Sequence, residues 1–151
     1  MTSEPFRRLD VLVGEWGLGR SAEEASSLKA PATTFAWELD GTLLVQRTTI
    51  ASPPRADMPN ATMIITVDPR SGGYTQYYFD SRGIARTYRM SFDGVTWSLV
   101  RDRADFTPLD FSQRFSGRLV RGGRDRIEGT WERSSDGKSW AKDFAIFYVR
   151  R

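Results

Sequence analysis

Leu12-Val13-Gly14-Glu15-Trp16 opens the part of the chain that decides the fold. After it come about ten short apolar segments, separated by dipeptides such as Asp40-Gly41 and Asp93-Gly94 that favour tight hairpin turns. Even spacing and short connections predict an antiparallel up-and-down sheet, and closure into a barrel removes the edges that such a sheet would expose. We therefore predict that residues 1–151 form one all-β domain, a closed antiparallel barrel of about ten strands.

A short helix is predicted before the barrel, and it should close one barrel end. Pro5 and Gly14 are start and stop signals for a helix over residues 5–13, where apolar residues recur at helical spacing. Two longer connections are candidate lids or portals: 21–31, which could hold a helical turn, and 52–61, which contains three prolines. The predicted strands span residues 15–20, 33–39, 42–50, 62–68, 73–80, 84–92, 95–102, 111–120, 125–133 and 140–150.

The chain contains neither His nor Cys, and this removes many functions. A Ser-His-Asp triad, thiolate chemistry, disulfides and the usual haem-ligating imidazole are all excluded. No carboxylates occur at metal-ligand spacing, so we expect no cofactor and no metal site. No apolar run approaches the ~20 residues of a membrane span, and the first residues lack the apolar core of a signal peptide. We therefore expect a cytoplasmic protein without a membrane partner.

The net charge of +3 comes almost entirely from Arg residues. Four of them surround Gly122-Gly123, and such a run is more typical of a solvated hairpin than of a nucleic-acid site, because no RNA-binding aromatic motif accompanies it. We expect no nucleic-acid partner. Glu128 and Glu132 alternate with the inward residues of their strand, which disfavours a catalytic carboxylate pair. The four Arg residues are Arg118, Arg121, Arg124 and Arg126.

Strand alternation identifies the side chains that should face the barrel interior. Arg86 shares a face with Ile84, Tyr88 and Met90, and Gln113 shares one with Phe115. By the same rule, the interior should also receive Phe35, Trp37, Leu39, Trp97, Leu99, Arg101, Ile127 and Trp131. Segments 42–50, 74–80 and 140–150 are apolar on both faces, so Arg47, Gln76 and Tyr78 cannot be oriented. The resulting ligand-binding candidates are Arg86, Tyr88, Gln113, Trp37, Tyr78, Arg101 and Trp131.

Arg86 is the most informative of these candidates. A buried guanidinium without a partner is costly, so it requires an acidic side chain, water or an anionic ligand. An interior anion would make Arg86 a binding residue. A core carboxylate such as Asp80 or Asp143, or a position at the barrel rim, would make it structural. The sequence leaves these alternatives open.

The pattern resembles the calycin superfamily, which includes lipocalins, fatty-acid-binding proteins and nitrobindin-like barrels, and in particular its small bacterial members. The resemblance implies that Trp16 and Arg150 stack and plug one barrel end. Arg86-Thr87-Tyr88 matches the Arg-x-Tyr spacing with which fatty-acid-binding proteins hold a carboxylate. Nitrobindin-like members bind haem through His, which is absent here. The matching segments are Leu12-Val13-Gly14-Glu15-Trp16, Tyr78-Phe79-Asp80-Ser81-Arg82-Gly83, Gly129-Thr130-Trp131-Glu132, Asp136-Gly137-Lys138-Ser139-Trp140 and Tyr148-Val149-Arg150.

Three functions follow as hypotheses. The first is a binding protein for a small apolar or amphipathic molecule, with an anionic or carbonyl group held by Arg86, Tyr88 and Gln113. The second is a cofactor-independent isomerase, cyclase or hydratase that uses Tyr and carboxylate groups for acid-base work. The third is an interaction module that forms a homodimer through the barrel wall. A buried carboxylate beside an interior Tyr would favour the enzyme hypothesis. A large pocket would favour the binding protein, and a filled interior would favour the interaction module.

Overall fold

In the computed structural model, which describes residues 3–50 and 59–151, ten antiparallel strands close into a barrel. Each strand pairs with the next along the chain, and the last pairs with the first, so the predicted fold class is confirmed. Strands take up more than half of the described residues, and the predicted segments differ from them only at their ends. The strands are β1 (Gly14–Gly19), β2 (Ala32–Glu38), β3 (Leu43–Thr49), β4 (Ala61–Val67), β5 (Tyr74–Asp80), β6 (Ala85–Phe92), β7 (Thr96–Arg101), β8 (Ser112–Val120), β9 (Arg126–Ser134) and β10 (Ala141–Arg150).

The predicted N-terminal helix is present in two parts. An α-helix, α1 (Glu4–Arg8), continues into a 3₁₀ turn at Leu9–Leu12. The tighter turn allows both Leu9 and Leu12 to be fully buried under the barrel end. The Tyr74 hydroxyl on β5 donates a hydrogen bond to the Pro5 carbonyl at 2.5 Å, which ties α1 to the barrel wall. We call this the closed end of the barrel.

The first long connection contains the helical turn that its composition predicts. This helix, α2 (Ala22–Ser26), begins at Ser21, whose hydroxyl accepts a hydrogen bond from the Glu24 backbone N–H at 3.1 Å. It packs closely on β1, because a Cβ atom at Gly17 would lie only 2.2 Å from the Ala25 carbonyl oxygen. The second long connection, 52–61, falls mainly outside the described residues. No helix among the described residues is long and apolar enough to cross a membrane.

The structure orients the three strands that are apolar on both faces. In β5, Gln76 is buried and Tyr78 faces the interior beside it. Arg47 on β3 points outward and forms a salt bridge with Glu38 at 3.0 Å. In β10 a bulge between Lys142 and Phe144 shifts the register. The residues of β3 and β10 that line the barrel cavity are Gln46, Thr48, Phe144, Ile146 and Tyr148.

The predicted inward position of Leu39 is wrong. Strand β2 ends at Glu38, and Leu39 and Asp40 both adopt positive φ angles, of 49° and 58°, in the turn to β3. The alternation of β2 therefore stops one residue before Leu39, whose side chain is 70% exposed. Phe35, two residues before Trp37, is buried as predicted.

Trp16 and Arg150 form a plug at the closed end. The Trp16 indole is fully buried and donates a hydrogen bond to the Leu12 carbonyl at 2.8 Å. The Arg150 guanidinium lies over the indole, 4.1 Å from the ring centroid. It also donates to the Val13 carbonyl at 2.8 Å and to the Val11 carbonyl. The plug therefore ties the last strand to the segment that precedes the first.

Candidate functional site

A cavity of about 510 Å³ occupies the barrel interior, within the size range of small-molecule sites. The charged residues that line the cavity all lie toward the barrel end opposite α1. They belong to α2, to loops, or to the ends of strands. We call this barrel end the mouth. Most of the remaining lining is aromatic or aliphatic. The charged lining residues are Arg20, Glu24, Arg82, Arg86 and Asp143.

Three of the predicted binding residues meet near the mouth. Arg86 and Tyr88 are two residues apart on β6 and therefore share its inner face, and Gln113 lies on the inner face of β8. The Gln113 side-chain oxygen accepts one hydrogen bond from Arg86 Nη1 at 3.2 Å and another from the Tyr88 hydroxyl at 2.9 Å. We call these three residues the Arg86 cluster.

Arg86 forms no salt bridge with any described residue. Asp80, one of its two candidate partners, pairs instead with Arg82 at 2.6 Å. Asp143, the other, lines the cavity without lying within salt-bridge distance. Besides Gln113, the guanidinium contacts the face of Phe111, whose centroid lies 5.6 Å away. Among the described residues, its positive charge therefore contacts neutral groups only.

The two tyrosines of this region are neutral hydrogen-bond donors at physiological pH. Tyr88 is 3% exposed, and its burial raises the pKa of the hydroxyl although the nearby Arg86 charge opposes the shift. Burial also raises the pKa of Tyr78, and the hydrogen bond from its hydroxyl to Asp80 at 2.8 Å adds to the effect. The two rings meet edge to face, with centroids 6.5 Å apart.

Asp80 is a fully buried carboxylate beside an interior tyrosine, which is the feature that the enzyme hypothesis requires. Burial alone would raise its pKa, but hydrogen bonds from Arg82 and Tyr78 outweigh this effect and lower the pKa. Its other oxygen accepts from the backbone N–H groups of Arg82 and Ile84. Both oxygens are thus occupied in holding the turn between β5 and β6.

Trp131 lies beside the Arg86 cluster and forms part of an aromatic wall. Its ring lies 5.6 Å from that of Tyr88 and 5.3 Å from that of Phe115, and it lines the cavity. Phe115 is tightly held, because Cβ atoms at Gly117 or Gly129 would come within 2.8 Å of its ring. These two glycines leave room for a large aromatic side chain inside a narrow barrel.

Two predicted site residues lie apart from the cavity lining. Arg101 is 3% exposed and donates two hydrogen bonds of 2.9 Å to Asp105, so it anchors the loop after β7. This contact, opposed by burial, holds the pKa of Asp105 well below its usual range. Trp37 packs against Phe6 of α1 and donates to the Asp10 carboxylate at 2.8 Å, at the closed end.

Sequence reasoning did not select the polar residues of the deeper wall as site residues, although strand alternation predicted that Trp97 faces inward. Gln46, Gln76, Trp97 and Tyr148 all line the cavity. Tyr148 lies on the closed-end side, since its ring is 6.5 Å from that of Trp16. The available signal was a single Gln within each of two otherwise largely apolar strand segments. It could not be used because those segments have no clear inner face.

The cavity lining brings together cationic, phenolic and amide groups, with the Glu24 and Asp143 carboxylates near the mouth. Nowhere in residues 3–50 and 59–151 do three carboxylates gather as a metal site would require. The site thus offers hydrogen-bond donors, two cations without an acidic partner among the described residues, Arg20 and Arg86, and apolar walls. These are the components of a binding site for a small organic molecule. No family model matches the chain, and no curated protein sequence matches it significantly.

Proposed function

We propose that this protein binds a small amphipathic molecule, with its apolar body in the barrel and an anionic or carbonyl group at the Arg86 cluster. The observation that carries the proposal is the Arg86 guanidinium, which lines the cavity and has no carboxylate partner among the described residues. The ten-stranded closed barrel also supports kinship with the calycins, whose interiors hold such ligands.

Two kinds of interaction would supply the affinity. Aromatic and aliphatic walls remove apolar ligand surface from water, at roughly 25 cal/mol per Å². A ligand carboxylate would accept charge-assisted hydrogen bonds from Arg86. These bonds would replace the hydrogen bonds to water that Arg86 loses when the ligand fills the cavity. Gln113 adds a donor, because its amide nitrogen forms no hydrogen bond with another described residue while its oxygen already accepts two. The Arg86 cluster therefore favours a ligand group that accepts hydrogen bonds.

The structure gives less support to the two rival hypotheses. The carboxylate that the isomerase, cyclase or hydratase hypothesis requires beside an interior tyrosine is Asp80, and both of its oxygens are occupied. A pure interaction module would be expected to have a filled interior, whereas this barrel encloses about 510 Å³. Binding is the function that uses the cavity and the unpaired Arg86 cation together.

Calorimetric titration with dodecanoate and dodecanol tests the role of the cation. We expect the carboxylate to bind more tightly, and Arg86→Met to weaken its binding by about 2–4 kcal/mol, as loss of one member of a desolvated charge pair does. Dodecanol should be affected little. Arg89→Met is the matched control, because Arg89 lies on the same strand but points outward to the exposed Asp102.

The same variants separate a binding role from a structural one. If Arg86 serves a ligand, Arg86→Met leaves the melting temperature of the empty barrel unchanged or raises it, because it removes a cation without an acidic partner. An unfolded Arg86→Met variant, or one that binds dodecanoate as well as the native protein does, contradicts the proposal. Native mass spectrometry of protein purified without added ligand would identify a natural ligand directly.

A further inference from the structure

Three residues of the deep cavity wall carry buried polar atoms without hydrogen-bond partners. The atoms are both amide atoms of Gln46, the side-chain oxygen of Gln76 and the indole nitrogen of Trp97. The three residues are only 1%, 3% and 2% exposed, respectively, and all line the cavity. A buried polar atom that forms no hydrogen bond loses its interaction with water and gains nothing in return.

Other buried polar groups of this barrel do find partners. Thr33 and Thr48 share a hydrogen bond of 2.7 Å, and Arg101 is paired with Asp105. Unsatisfied atoms are therefore confined, among the described residues, to side chains that line one cavity. Such clustering indicates a site whose missing partner comes from outside the chain.

Two of these three residues, Gln46 and Trp97, lie close to each other. Gln46 is the cross-strand neighbour of Phe35, whose ring centroid is 6.1 Å from that of Trp97. The Trp97 ring is in turn 5.9 Å from Tyr148. Burial raises the pKa of Tyr148 to about 12, and the neighbouring Gln46 amide partly opposes this shift. Gln46, Trp97 and Tyr148 thus surround one region above the Trp16 plug.

The chemistry of these atoms defines what they would bind. The Trp97 N–H and the Gln46 amide nitrogen can only donate, whereas the two glutamine oxygens can only accept. A hydroxyl or amide group, which does both, matches this set. The charged lining residues all lie toward the mouth, so no described lining residue beside the deep atoms would neutralise an ionised group.

We propose that Gln46, Gln76 and Trp97 form a second subsite, which binds a neutral hydroxyl or amide group at the far end of the ligand. Because these atoms are fully buried in the empty barrel, binding requires the glutamine side chains and the Trp97 ring to turn toward the cavity that they line. The inference rests on the proposed binding function and narrows its ligand class to molecules with two polar ends. One end is anionic and reaches Arg86, and the other is neutral and reaches the deep subsite.

Calorimetry with ω-hydroxydodecanoate and dodecanoate, which share a head group and chain length, tests the subsite. We expect the hydroxylated acid to bind about tenfold more tightly to the native protein, and this ratio to fall toward one in Gln76→Met and Trp97→Phe. Gln113→Leu is the matched control: it weakens both acids equally, because Gln113 belongs to the Arg86 cluster. Homologous acids of other lengths show at which length the hydroxyl reaches the subsite.

The NMR signal of the Trp97 indole N–H provides a second measurement that a purely structural role would not move. It should shift on addition of ω-hydroxydodecanoate and much less on addition of dodecanoate. Equal affinity of the two acids across the length series, with an unmoved indole signal, overturns the subsite and shows that water satisfies these atoms. If that result comes with Arg86-dependent binding, the proposed function stands. If no acid binds, both proposals fail.

Discussion

Replacing Arg150 with Met should reveal how much the plug at the closed end stabilises the barrel. The guanidinium covers the Trp16 indole at 4.1 Å and donates hydrogen bonds to the carbonyls of Val11 and Val13. Its side chain is 27% exposed, and it also approaches Asp125 at 3.2 Å. Methionine retains most of the apolar stem but removes the charge and every donor.

The magnitude follows from these contacts. A cation over an indole contributes about 0.5–2 kcal/mol, depending on its desolvation. The two carbonyls lose hydrogen bonds from a charged donor, each of which is typically worth about 1.5–3 kcal/mol. Because Arg150 is partly exposed, water can replace some of the lost hydrogen bonds and reduce the loss of stability. The ion pair with Asp125 is also partly exposed and contributes little to the free energy of unfolding. We expect the free energy of unfolding to fall by about 3 kcal/mol.

Urea denaturation followed by circular dichroism measures this loss. Arg118→Met is the control, because Arg118 is exposed on β8 and should change the midpoint little. Trp16→Ala should cost about 3–5 kcal/mol, as for other large truncations in a core. The loss from Arg150→Met should be smaller in the Trp16→Ala background, because the two side chains interact directly. Strictly additive losses, or an unchanged midpoint in Arg150→Met, would refute the plug.

Two further predictions concern stability. Asp105→Asn should lower the free energy of unfolding by about 3 kcal/mol at neutral pH, because it leaves Arg101 buried without a counter-charge. Since the pKa of Asp105 is depressed in the folded state, the native protein keeps this contribution above about pH 4 and loses it in stronger acid. The difference in the free energy of unfolding between the native protein and Asp105→Asn should therefore shrink only below that pH. A difference that stays constant across this pH range would contradict the pairing. Gly129→Ala should cost about 1–3 kcal/mol by thermal denaturation, because its Cβ would lie 2.5 Å from the Phe115 ring, whereas Gly73→Ala, which meets only the flexible Ser71 side chain, should cost less. Equal losses in the two glycine variants would show that Phe115 can move aside.

Part of the candidate site could also be predicted from the sequence. Arg86, Tyr88 and Gln113 lie on strands whose alternation is clear, so their shared inner face follows from a period of two residues. That they meet through one Gln113 oxygen does not follow, because β6 and β8 are separated by β7 and their distance depends on barrel curvature. Arg101 illustrates the limit: alternation predicts that it is buried, but only the fold brings the loop residue Asp105 to it.

The order and direction of the strands were determined by the sequence itself. Turn residues between short apolar segments favour an antiparallel sheet in which each strand pairs with the next. Closure of that sheet into a barrel is favoured because it removes the exposed edges of the first and last strands. Tertiary structure alone decided the faces of β3, β5 and β10, because strands that are apolar on both sides carry no orientation signal. It therefore decided that Gln46 and Gln76 are buried, with both amide atoms of Gln46 and the side-chain oxygen of Gln76 left without hydrogen-bond partners. It also decided that the Arg86 charge finds no carboxylate, since that depends on Asp80 being engaged by Arg82, a contact set by the turn between two strands.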